Sequence, residues 1–395
     1  MGEAFIVRKG GVAAEQTATP SILDFSTASD TSIKFKLRNN DSVAATLVYR
    51  FGTITGDGES ISVAANTTTA EITFTVPSFS VATTLFVTAN ATGKVKSEVA
   101  EQEFAAPIIY TAATGGTTNE YNASGKRFRS HTFNSSGTFT VTTVGDATDD
   151  RNKVDYLIIA GGGAGGSTSG GTAGNSGGGG GAGGYRTTNG TSGANSSAES
   201  KVVVTAQAYS ITIGAGGTVI TSDQSSRGPA GSNSSALGIT STGGGGGGAR
   251  ITNPTGGDGG SGGGGSGLSG TRNGGTGTSG QGSNGGSGSS DESTFRSAGG
   301  GGGASQVGQS GGTSSSGILG GNGGNGLANL LRTGSNESRA GGGAGGGTDG
   351  TGTGGTGGGG NAGVSGTANT GGGGGGRTGS GGSGIVVIRY EIAPS

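Results

Sequence analysis

The sequence predicts an all-β, glycine-rich protein with essentially no α-helix, in which an N-terminal β-sandwich precedes a second sandwich of strands and extended glycine helices. Three observations predict it. Residues 21–105 alternate apolar and polar positions with period two between turn residues. The chain has 100 glycines, of which 12 precede residue 161 and 88 fall in 161–384, against an ordinary usage of roughly 7%. Two apolar runs, Val154–Ala160 and Ile385–Tyr390, bracket the glycine region like the two ends of one unit.

Residues 1–20 read as a short attachment arm. In 21–105 the predicted strands are Ile22–Phe25, Ser32–Leu37, Ala45–Phe51, Ser60–Val63, Glu71–Val76, Thr84–Ala89 and Val99–Phe104. Asn39-Asn40-Asp41, Gly56-Asp57-Gly58, Ala65-Asn66 and Thr92-Gly93 supply turns. Seven short strands at this spacing indicate an immunoglobulin-like sandwich. The stretch is similar in pattern to the bacterial Ig-like modules that serve as spacers in phage and surface proteins.

Residues 106–160 continue in β structure and lead into the C-terminal domain, 161–395. Ser130–Phe133 and Thr138–Val141 flank Asn134–Gly137 and read as a hairpin. Val154–Ala160 is continuously apolar, as for a strand covered on both faces. Glycine runs then recur at 161–166, 177–184, 243–248, 256–267, 299–303, 320–326, 341–347, 354–360 and 371–376. Less glycine-rich insertions separate them at 185–213, 218–242, 249–255, 268–298, 305–319, 327–340 and 361–370. The first insertion carries strand patterns at Lys201–Thr205 and Tyr209–Ile213.

Glycine–serine tracts are often flexible linkers. Three features argue for order here: the bracketing strands, the varied insertions, and the entropy that ordering glycine costs. Without Cβ atoms, three-residue-per-turn helices can pack side by side. Having no internal hydrogen bonds, they must pair their N–H and C=O groups with neighbouring chains. Collagen is excluded, because the strict Gly-X-Y period is absent and the chain has only 6 prolines.

The order HTFNSSGTFTV, VDYLIIAGGGAGG, GGGGGAGGYR, ITIGAGG, repeated six-glycine runs and GGSGIVVIRY resembles the glycine-rich domain common in phage tail-fibre and tail-tip proteins. The resemblance covers about residues 125–391. The alternation of glycine blocks and insertions is also similar to the tip adhesins of T-even-type long tail fibres. It implies a polyglycine II sandwich whose distal loops touch a host receptor. This chain departs from that pattern by carrying its own Ig-like module and N-terminal arm.

Other chemistries find little support. Net charge is −1, which offers no attraction for nucleic acid or an acidic membrane. There is no cysteine and one histidine, His131, in a strand-like segment where it reads as structural. No apolar stretch is long enough to span a membrane, and the first residues lack a signal-peptide or myristoylation pattern. Gly161–Gly166 after a strand imitates a dinucleotide fingerprint, yet Ser167–Gly184 cannot form the required helix. Asp258 and Asp349 lack the spacing of calcium-binding repeats. No enzymatic activity, cofactor or metal is expected.

Recognition must therefore come from the insertions. The candidate contact residues are Tyr185, Arg186, Arg250, Arg272, Asp291, Glu292, Phe295, Arg296, Leu330, Leu331 and Arg332. Aromatic rings stack on sugars, and arginine donates several directed bonds. Leu330 and Leu331 read equally well as caps on the glycine helices. The resulting expectation is a virion tail fibre or tail-tip protein. It would join other virion proteins through its N-terminus, trimerise, and bind a host-surface glycan or outer-membrane protein. The rival expectation is a virion decoration or self-assembling extracellular fibre without a receptor.

Overall fold

A computed structural model describes residues 15–29, 32–52, 58–75, 83–92, 94–104, 108–167, 176–220, 226–267, 272–291, 295–312, 320–348 and 350–394. The chain forms two units, divided between Ile108 and Ile109, three residues after the boundary read from the sequence. Every strand pairs antiparallel with its neighbours. Among the described residues the only helical turns are 3-10 turns at Thr148–Asp150 and Gly193–Asn195.

Among its described residues the first unit has seven strands: β1 (Ser21–Ser29), β2 (Ser32–Arg38), β3 (Ala45–Phe51), β4 (Glu59–Val63), β5 (Ile72–Thr75), β6 (Thr83–Ala91) and β7 (Ala100–Phe104). They form two sheets, ordered β1-β2-β5 and β4-β3-β6-β7. Alternate residues point inward, as period-two patterning requires. Phe35, Leu37, Leu47, Leu85, Val87 and Ala89 are fully enclosed. Phe35 meets Tyr49 and Phe51 edge to face, with centroids 5.5 and 5.9 Å apart. Residues ahead of β1 belong to this unit too. Thr17 donates through both its N–H and its hydroxyl to Val95 O, and Ala18 N–H donates to Asp41.

The second unit opens with β8 (Ala112–Thr114), β9 (Thr117–Ala123), β10 (Lys126–Phe133), β11 (Gly137–Thr143) and β12 (Lys153–Ile159). After the first two glycine runs come β13 (Tyr185–Thr187), β14 (Thr191–Ser192), β15 (Ser196–Ser197), β16 (Val202–Val203) and β17 (Ala208–Ile211). Three small hairpins follow: β18 (Ser234–Ala236) with β19 (Ile239–Ser241), β20 (Ser289–Asp291) with β21 (Phe295–Ser297), and β22 (Leu327–Asn329) with β23 (Glu337–Arg339). The last strand is β24 (Ile385–Ile392).

The main sheet runs β13-β12-β24-β10-β9, and β16 also pairs with β12. The two bracketing strands, β12 and β24, are thus neighbours, with Ile159 opposite Ile385. Both are buried almost throughout. The sequence reads β10 and β11 as a hairpin, but they do not pair. β10 joins β24 and β9, whereas β11 joins β17 and β8 in a second sheet. Crossing from one sheet to the other lets Phe133 and Phe139 enter one core with Tyr156, Ile158, Ile388 and Tyr390.

Beyond the sheet the glycine runs form a lattice, and run 176–184 is its centre. Gly178, Gly181 and Gly184 donate to Gly248, Gly245 and Thr242. Gly179 and Ala182 donate to Gly299 and Gly302, and Gly180 and Gly183 donate to Gly374 and Gly371. Carbonyls of the same run accept from Ala160, Gly163 and Gly166, from Ser261, Gly264 and Gly267, and from Gly343 and Gly346. All these bonds measure 2.7–3.1 Å. Partners advance by three residues on every side, and no bond lies within the run. That is a polyglycine II helix, the glycine counterpart of polyproline II, surrounded by six others.

Peripheral helices need only one inward glycine per turn. Gly214/Gly217, Gly308/Gly311, Gly352/Gly355 and Gly379/Gly382 are buried while Ala215, Gln309, Ser310 and Thr353 are exposed. Segments read as insertions at 218–242, 268–298, 305–319 and 361–370 therefore contribute lattice helices, because a Gly-x-x-Gly period suffices at an edge. At the outer faces, short side chains replace the missing neighbour's carbonyl. Asn322 Oδ1 accepts from Thr353 N–H at 2.8 Å, and three residues on, Asn325 Oδ1 accepts from Thr356 N–H at 3.0 Å. Asn284, Asn361 and Asp258 do the same for Gly277, Gly354 and Thr276.

A Cβ at Gly180 would lie 2.1 Å from Gly163 O, a contact that only backbone movement relieves. Gly180→Ala is expected to destabilise the second unit by about 3 kcal/mol or more. At Gly125 only the left-handed φ of +76° opposes a side chain, so Gly125→Ala should cost about 1–2 kcal/mol. Denaturant unfolding of the two variants checks the contrast, and equal losses would refute close packing at Gly180.

Candidate functional site

The register sorts the loops into two ends. At the sheet end, Ala160 leaves β12, Gly184 enters β13, Thr242 leaves β19 and Gly384 enters β24. The opposite end lies about 20 Å away along the runs, at about 3.1 Å per residue. There the chain turns between 166 and 177, 217 and 228, 248 and 254, 267 and 272, 288 and 297, 311 and 320, 347 and 350, and 376 and 379, as the bonds Ser266 N to Pro254 O, Gly311 N to Ser287 O and Gly346 N to Gly177 O require.

The candidate residues divide between these ends. Tyr185, Arg186, Leu330, Leu331 and Arg332 lie at the sheet end, whereas Arg250, Arg272, Asp291, Phe295 and Arg296 lie at the far end. Asp291 and Phe295 face each other across the β20–β21 hairpin, and Glu292 lies outside the described residues.

Two candidates are corrected outright. Tyr185 and Leu331 are fully enclosed, packed with Leu157, Ile159, Ile385 and Val387. Burial pushes the Tyr185 hydroxyl well above its ordinary value. Both cover the end of the lattice beneath the sheet and present no surface. The loop around them is a fastening. The Tyr121 hydroxyl donates to Leu331 O at 2.7 Å and to Leu330 O at 3.3 Å, and Ser130 Oγ donates to Arg332 O at 2.7 Å. Arg332 Nε donates to Glu337 at 2.8 Å. Arg186 is the sheet-end candidate that reaches a cleft, beside Glu199.

Sequence reasoning missed Arg227 and Arg377, which stand with Arg250, Arg272 and Arg296 at the far end. Arg227 donates to Thr255 O and Oγ1, both at 2.9 Å, and Arg377 to Gly347 O at 3.1 Å. Each cross-links two turns while keeping its charge there. A usable signal was present for Arg377, which like Arg250 follows closely on a six-glycine run, but not for Arg227, which lies inside the insertion 218–242. Among the described residues, no group of three or more His, Asp or Glu could hold a metal ion.

A family model described as a glycine-rich domain matches residues 132–391. The chain belongs to this family of glycine-rich domains. No curated protein matches the sequence. The matched span covers the main-sheet strands β12 and β24, almost all of the lattice and both loop ends.

His131, on β10 one residue ahead of the matched span, has no access to solvent. Its Nδ1 is 2.6 Å from Gly115 O and its Nε2 is 3.0 Å from the Tyr390 hydroxyl. A carbonyl only accepts, so Nδ1 carries the proton and Nε2 accepts from Tyr390. Burial, with a smaller contribution from the Arg129 charge, holds its pKa below the ordinary 6.5. The unfolded chain therefore takes up a proton first as pH falls. Stability is complete above about pH 6.5 and declines below it. In unfolding measurements from pH 7 to 5.5, the wild type should lose stability, and His131→Gln should remove that slope. An unchanged slope would assign it to other groups.

Proposed function

We propose that the protein is a phage tail-fibre or tail-tip receptor-binding protein that attaches the virion to the host cell surface through the loops at the far end of the lattice. The observation that carries this reading is the difference between the two ends. One is covered by the main sheet and an apolar cluster, while at the other the chain turns back between lattice helices and, among the described residues, carries only the short β20–β21 hairpin. A rigid lattice fixes the two ends of each such turn, which favours binding by lowering the ordering cost. The order of motifs in the sequence supports the same reading.

The first unit is read as an Ig-like spacer. Its sheets, ordered β1-β2-β5 and β4-β3-β6-β7, support that assignment. The N-terminal residues would join other virion proteins, a homotrimer is the proposed assembly, and the partner is a host-surface glycan or outer-membrane protein. The side-chain acceptors along the lattice edges weigh against a self-assembling fibre, since a fibre growing sideways needs open backbone groups there.

Residues 272–288 are lattice helices, so a loop replacement must avoid them. Replacing 290–296 by glycine and serine should abolish adsorption of virions to host cells, with unfolding of the second unit unchanged. Full adsorption by that variant would remove the β20–β21 hairpin from the contact surface. Long polymers of the purified protein under the electron microscope would favour the rival structural reading.

A further inference from the structure

A second surface feature lies at the sheet end. A cleft of about 370 Å3 opens there between Arg186 on β13, the segment Ser192–Glu199 and the turn Ser279–Gln281. Small-molecule sites span about 300–1,000 Å3. Each wall is pinned to the lattice or the sheet. Tyr185 N–H donates to Gln281 O at 2.8 Å, and Thr242 N–H donates to Gln281 Oε1 at 2.8 Å. Ala194 N–H donates to Ala304 O at 2.7 Å, Asn195 Nδ2 to Ser305 O at 2.8 Å, and Glu199 N–H to Thr187 O at 2.8 Å. At Gly193 a Cβ would lie 2.0 Å from the Gln281 backbone, so two of the walls touch.

The lining determines the chemistry. Ser196, Ser197 and Ser279 bring hydroxyls and Gln281 brings the NH2 of its amide, whereas the buried Ser192 hydroxyl already accepts from Thr187 N–H. Glu199 is the only carboxylate of the cleft, and Arg186 neutralises it through bonds of 2.8 and 2.7 Å. The Tyr156 hydroxyl adds a third donor to that carboxylate at 2.6 Å. An anion finds no uncompensated cation, and one carboxylate already bound to a guanidinium is too little for a divalent metal. A neutral polyol fits, because its hydroxyls donate and accept as the serines do.

We infer that this cleft binds a neutral monosaccharide unit. Its geometry stands independently of the far-end loops; only the source of the sugar, a glycan of the host surface, rests on the function proposed above. No aromatic ring of the lining offers a stacking face, so affinity should be weak, with Kd on the order of 1 mM.

The full-length protein, labelled with nitrogen-15, would be titrated with glucose, galactose, mannose and N-acetylglucosamine, with N-acetylneuraminic acid as the charged control. At least one neutral sugar should shift amides of 192–199 and 279–281 saturably. Ser279→Trp fills the cleft from an exposed position and should weaken that response at least tenfold, with lattice amides unmoved. Absence of shifts in both segments, an equal response in Ser279→Trp, or preference for the charged sugar would each overturn the assignment. Replacing 290–296 leaves this cleft intact, so sugar binding and virion adsorption can fail separately.

Discussion

Everything in the second unit depends on hydrogen bonds between helices that have none of their own. A polyglycine II run leaves every N–H and C=O pointing sideways, and each must find a partner in a neighbouring run. One such bond contributes about 1 kcal/mol net, while ordering a glycine costs about 0.5–1 kcal/mol more than ordering an alanine. The margin per residue is thin, so the lattice persists only where nearly every group is paired. That need draws the backbones so close that added Cβ atoms would lie about 2 Å from carbonyl oxygens in the runs around Gly180. Glycine is here the consequence of close approach more than of unusual dihedral angles.

A lattice of this kind has to end somewhere, and its boundaries are where side chains return. Along the sides, Asn322, Asn325, Asn361 and Asp258 supply the acceptors that a further helix would have supplied. At one end the strands that bracket the glycine region close over it. Their pairing is reinforced by Asp155 and Arg389, a buried ion pair at 2.6 Å, with the guanidinium 4.2 Å above the Phe128 ring. Breaking such a pair leaves an uncompensated buried charge, which makes it a lock on the two central strands. At the other end, among the described residues, no sheet closes over the lattice, and Arg227 and Arg377 tie neighbouring turns to one another.

The sheet and the lattice also explain why two aromatic or apolar candidates turned out to be structural. A stack of glycine helices ends in a flat array of backbone, with no side chains to cover it. Tyr185, Leu331 and Ala304 supply that cover, together with the lower face of β12 and β24. The cleft beside Arg186 lies at the margin of this cover, where serine-rich turns meet the lattice flank.

Composition and periodicity by themselves determined the all-β character, the strand pattern of the first unit, the bracketing role of 154–160 and 385–390, and the positions of the glycine runs that surround 176–184. These are local properties: period two marks a half-buried strand, and the six-glycine runs mark enclosed helices, whereas Gly357–Gly360 begins with a turn at the edge. Only the tertiary structure decided which runs touch, which end each loop occupies, and that β10 and β11 belong to different sheets. It also decided that Gly-x-x-Gly segments such as Gly308–Gly311 join the lattice, and that Tyr185 and Leu331 face inward. The physical reason is that glycine carries no side chain to encode its neighbours. Pairing is set by backbone groups identical at every position, so register follows from turn lengths and from the flanking strands.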